Sequence, residues 1–150
     1  MENHLNKLKT FLSFNRQTKM LLFESYIYLG FARILKGLPF SRVAPTLGDQ
    51  MTETAYTSHS LDRETLSRIK QAIHIMSRYT FWESQCLVKA IAAMKMLERR
   101  QIESTLYLGT AKDEKGKFIA HAWLRSGPFY VTGSEVMERF TVVNKFAKRI

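Results

Sequence analysis

Near residue 103 the spacing of apolar side chains changes from every third or fourth position to every second, and no other feature constrains the fold as much. The first spacing lays one stripe of a helix on a core, and the second gives a strand one buried face. Helices followed by an antiparallel meander make an α+β chain. At 150 residues the chain fits one domain whose single core needs neither disulfide nor metal.

Upstream of the change the spacing predicts helices over Leu5 to Phe14, Gln17 to Lys36, Arg63 to Arg78 and Thr80 to Arg100. The second is the most apolar segment, read as a core or partner-covered helix because Glu24 and Arg33 interrupt it; Gly37 is a C′ candidate and Pro39 a stop. Asp62 reads as the cap of the third. Residues 38–60 hold Pro39, Pro45 and Gly48 with no sustained period, and predict an irregular connection. A connection of that length suggests either a functional loop or a boundary between an N-terminal helical region with its connecting loop, 1–60, expected to pack on the core, and a core of 61–150. Downstream, strands are expected over Ser104 to Gly109, Phe118 to Arg125, Phe129 to Thr132 and near Phe140 to Val143.

The fourth helix carries the chain's single cysteine, Cys86. Ser84 is one candidate N-cap; Thr80, with Glu83 three residues on as a capping box, is another. Leu87, Ala90, Ile91, Met94 and Leu97 form its apolar stripe, with Lys89, Lys95, Glu98 and Arg99 opposite. With the Ser84 cap, Cys86 sits in the first turn, where unpaired amides and the helix dipole favour a thiolate. His121 lies mid-strand between Ala120 and Ala122, sharing a face with Ile119, Trp123 and Arg125. A hairpin pairing Arg125 with Pro128 would set Thr132 opposite His121. A strand imidazole beside a helix-start thiol is the arrangement of a nucleophile and its general base. His74 reads as an ordinary surface or packed histidine, and His4 and His59 carry no signal.

The net charge of +10 invites an acidic partner. Its basic residues are scattered and no nucleic-acid module surrounds them, so nucleic-acid binding is not expected. No apolar run reaches the roughly 18 residues of a membrane span. The N-terminus lacks the apolar stretch and cleavage site of a secretory signal, so a cytoplasmic setting is the expectation.

Three segments carry a family resemblance: FESYIYLGFARILKGLPFSRVAPTLG, WESQCLVKAIAAMKMLERR and FIAHAWLRSGPFYVTGSEVMERFTVV. With Cys86, Leu87 and Ala90 on the helix and Ala120 to Trp123 on the strand, the chain resembles the stand-alone leader peptidases of lasso-peptide maturation, within the transglutaminase-like cysteine-protease superfamily. The resemblance implies a papain- or transglutaminase-like core, a cysteine-bearing helix packed on an antiparallel sheet, with an N-terminal helical extension. It implies that Cys86 is the nucleophile and His121 the base, without cofactor or metal. It also implies three partners: a precursor peptide, a protein that binds its leader, and an ATP-using cyclase. Acyl transfer to an amine and a catalytically inert basic interaction module are the alternatives. Relatives often carry an aspartate where this chain has Gly133, so either another residue orients the imidazole, with Thr132 and Glu135 as the candidates, or nothing does. Gln101 stands where relatives tend to end the helix with glycine.

Overall fold

The structure, a computed structural model, describes residues 2–57 and 62–150, so His59 and residues 58–60 of the expected connection lie outside the described residues. Helix α1 spans Glu2–Ser13 and α2 spans Arg16–Lys36, the latter capped by the Asn15 side chain accepting from the Thr18 amide at 2.8 Å. One side of α2 buries Leu22, Leu29, Ala32 and Leu35; the other leaves Met20, Phe23, Ile27, Phe31 and Ile34 in solvent. The helix is thus half core and half bare apolar surface. After Pro39 the chain is not irregular: a short helix α3 (Phe40–Val43), a 3-10 turn (Ala44–Thr46) and a strand β1 (Asp49–Gln50) follow. Val43 and Leu47 anchor this stretch in the core, a signal too sparse to show as a period.

Helix α4 (Arg63–Met76) begins at Asp62, whose carboxylate accepts from the Thr65 amide at 3.2 Å and from its hydroxyl. Helix α5 runs Cys86–Arg99, shorter at its start than the pattern suggested. Its burial is also wider than one stripe: Val88, Ala92, Ala93 and Met96 are covered along with Ala90, Ile91, Met94 and Leu97. The sheet packs on one side of α5 while α2 and α4 cover the other, so most of its circumference is core. It ends in a Schellman turn, with the Ile102 amide donating to Leu97 O and the Gln101 amide to Glu98 O, and Gln101 takes the left-handed conformation at φ 59°.

Strands β2 (Ser104–Lys112), β3 (Phe118–Ser126), β4 (Phe129–Thr132) and β5 (Thr141–Lys148) complete the sheet. Among the described residues the order is β1-β5-β2-β3-β4, every neighbour antiparallel. The β3–β4 hairpin departs from the expected register. Ser126 pairs with Phe129 and Arg125 with Tyr130, and a bulge then sets Thr132 opposite Leu124 rather than His121. Beyond Leu124, towards Phe118, β4 leaves the edge of β3 unpaired. Arg125 is fully buried; it donates to Tyr107 Oη (2.9 Å), Gly127 O (2.8 Å) and Thr54 O (2.9 Å), and its guanidinium lies 3.7 Å from the Tyr56 ring centroid. These bonds tie the segment before residue 58 to the sheet and satisfy a charge that would otherwise be costly to bury.

Candidate active site

Cys86 is the first helical residue of α5, one position nearer the helix start than the Ser84 cap would have put it. Gln85 occupies the cap position without a side-chain cap bond. The two expected caps are engaged elsewhere: the Ser84 and Thr80 hydroxyls bond each other at 2.8 Å, and Thr80 also donates to Trp82 O. Glu83 does not close a box with Thr80; its carboxylate accepts from the Gln85 amide at 2.8 Å. The same carboxylate takes Lys36 Nζ at 2.8 Å and faces Arg33 at 3.6 Å, so it fastens the residue before Cys86 to the end of α2. Burial disfavours its charged form, but the Lys36 and Gln85 hydrogen bonds outweigh this and hold its pKa below the ordinary value. The first i to i−4 bond of α5 runs from the Lys89 amide to Gln85 O, so the amides of Cys86, Leu87 and Val88 precede the helical ladder.

His121 lies on β3, where alternation sends Ala122 and Leu124 into the core under α5 and His121 and Trp123 to the other face. Its ring stacks on Trp123 (centroids 5.8 Å apart) and tilts against Phe140 (5.0 Å). Gly109, opposite His121 on β2, makes room for both aromatics: a Cβ there would stand 2.9 Å from Phe140 Cβ and from the indole. His121 Nε2 donates to the main-chain carbonyl of Gly133 at 2.7 Å. The bond assigns the proton to Nε2 and leaves the Nδ1 lone pair as the ring's free acceptor.

The main chain of Gly133 supplies the acceptor for the imidazole. The residue is left-handed (φ 74°), and a Cβ on it would run into the Ala122 carbonyl oxygen and the Trp123 side chain. The Thr132 hydroxyl is buried with no hydrogen-bond partner, while Glu135 stands exposed at the mouth of the cleft. Neither side chain bonds the imidazole; the glycine carbonyl holds it.

Cys86, partly buried, and His121 line one open cleft of ≈ 680 Å³ bounded by α4, the first turn of α5 and the β3–β4 region. The two do not hydrogen-bond each other. Both border the cleft near the unpaired edge of β3, the His121 ring on the sheet face opposite α5. Gln85, Lys89 and Lys70 share this cleft, and Phe129 and Val131 form apolar wall. Lys89 was expected on the solvent side of the helix; its place three residues after Cys86 was the sequence signal that it shares the nucleophile's face. His74 also lines the cleft, with Nε2 3.3 Å from the Arg78 guanidinium. Among the described residues no group of His, Cys, Asp and Glu is placed to hold a metal ion, and no helix is long and apolar enough to cross a membrane.

A cysteine at a helix start, packed against an antiparallel sheet with a strand histidine at the same cleft, is the architecture of papain-like thiol enzymes. The transglutaminase-like superfamily model matches residues 27–145, and the chain belongs to that superfamily. Its members are generally enzymes of cysteine-protease or acyl-transferase type. No curated protein and no solved structure is significantly similar to the chain.

Proposed function

We propose that the chain is a cysteine peptidase that removes the leader from a ribosomally made lasso-peptide precursor. The observation that carries this reading is the shared cleft, with the thiol at a helix start and an imidazole whose Nε2 is fixed and whose Nδ1 is free. His121 Nδ1 takes the thiol proton as Cys86 Sγ attacks the scissile carbonyl carbon. Negative charge passes to the carbonyl oxygen, which accepts from the Cys86 main-chain amide at the positive end of α5. The imidazolium then protonates the departing amine and the C–N bond breaks, leaving a thioester on Cys86. His121 next takes a proton from water, which attacks the thioester and frees the acid and the thiol.

A second protein binding the leader as an added β-strand, and an ATP-using cyclase acting on the freed amine, complete the proposed system. The bare face of α2, with Met20, Phe23, Ile27, Phe31 and Ile34, supports docking of a partner on the side of the molecule built by the N-terminal helices. Mass spectrometry of precursor incubated with the protein and the leader-binding partner tests the reading. The expected products are two peptides whose masses sum to precursor plus water. A product that instead carries an added amine would make the chain an acyl transferase.

A further inference from the structure

The cleft beside Cys86 holds two lysines that the peptide chemistry above does not use. Lys70 sits on α4 and Lys89 on α5, and both are partly buried. Lys70 Nζ has only a 3.4 Å contact to Tyr130 O and a position 5.5 Å from the Phe129 ring centroid, which leaves donors unspent. Among the described residues neither lysine faces a carboxylate within salt-bridge distance. By contrast Lys95, Lys145 and Lys148, also partly covered, each face one: Glu98 at 3.7 Å, Glu53 at 3.7 Å and Glu98 at 3.3 Å. The single carboxylate lining the cleft, Glu135, is exposed on the strand side.

The cleft of the nucleophile therefore carries two lysines against one carboxylate, and neither lysine is paired with it. Lys89 follows Cys86 by three residues and projects from the same face of α5. Lys70, on α4, lines the same cleft together with the apolar Ile73, Phe129 and Val131. The positive end of α5 adds to the same potential.

We propose that this cleft selects a peptide with an acidic side chain within a residue or two of the scissile bond, its carboxylate held between Lys70 and Lys89. The inference rests on the peptidase reading for its substrate, but charge selection at Cys86 can be measured without any cleavage. Iodoacetate and iodoacetamide alkylate a thiol by the same displacement of iodide and differ in charge. With one cysteine in the chain, the ratio of their rates reports Cys86 alone.

The expected ratio, iodoacetate over iodoacetamide, is about fivefold above that of a cysteine in an unstructured peptide. It should fall about twofold in Lys70→Gln and in Lys89→Gln, and reach the unstructured value in the double variant and in about 1 M salt. A lysine that serves only to favour the thiolate changes both rates together and leaves the ratio alone, so an unchanged ratio in both variants overturns the proposal. So does a wild-type ratio equal to that of the free peptide. A raised, lysine-dependent ratio supports it even in a protein that cleaves no precursor, which separates its fate from that of the peptidase assignment. Circular dichroism of each variant confirms that the fold is retained.

Discussion

His121 Nε2 lies 2.7 Å from the carbonyl oxygen of Gly133, so the imidazole of this site is oriented by the main chain. Where a triad carboxylate is neutralised, much of the lost activity comes from the wrong tautomer of the histidine. A carbonyl avoids that loss, because it can only accept and so keeps the proton on Nε2. It forgoes the anionic stabilisation that a carboxylate would give an imidazolium.

The first prediction is that an aspartate at position 133 does not help. Gly133→Asp places a Cβ against Ala122 O and Trp123 at a φ of 74°, so the turn must move and the His121 bond with it. Turnover of precursor should fall about a hundredfold or more, and stability by about 1–2 kcal/mol, read by product formation and thermal melting. An active, stable Gly133→Asp protein would show that the turn tolerates the side chain.

Gln101 yields the second. It closes the α5 Schellman turn at φ 59°, a conformation that costs a side-chain residue about 1 kcal/mol and glycine very little. Gln101→Gly should raise the melting temperature by about 2–4 °C and leave alkylation of Cys86 unchanged.

The third concerns acid. Glu24 is largely buried, which opposes its charge, but Arg100 bonds it at 2.8 and 2.6 Å and Arg99 approaches to 3.2 Å, so its pKa lies below the ordinary 4.5. A carboxylate depressed on folding stabilises above its unfolded pKa and loses that contribution as pH falls through the folded one. Glu24→Gln should therefore cost about 2 kcal/mol at neutral pH and less at an acid pH below the folded pKa of Glu24, measured by urea denaturation at both. An equal cost at the two values would mean that the pair contributes through shape alone.

Much of this was legible in the sequence. The change of period placed the helices before the sheet, Asp62 marked the start of α4, and Phe129–Thr132 was bounded by its turn. Cys86 and His121 stood out as a helix-start thiol and a mid-strand imidazole, and the left-handed end of α5 was visible in Gln101 standing for glycine. What escaped has physical causes. The start of α5 was obscured because Thr80 and Ser84, both good caps, spend their hydroxyls on each other in the preceding turn. The bulge at Leu124 and Arg125 shifts the hairpin register without altering the alternation that announces a strand. The group that orients His121 is a carbonyl, and every residue has one. Its position depends on the glycine's conformation, which composition does not specify.

The most direct measurement is the rate of Cys86 alkylation by iodoacetamide at about pH 6.5, in the native protein and in His121→Ala. If the sulfur and the imidazole act as one unit, the native protein reacts about tenfold faster than a cysteine in an unstructured peptide, and His121→Ala loses that advantage. Equal rates in the two proteins would contradict the account.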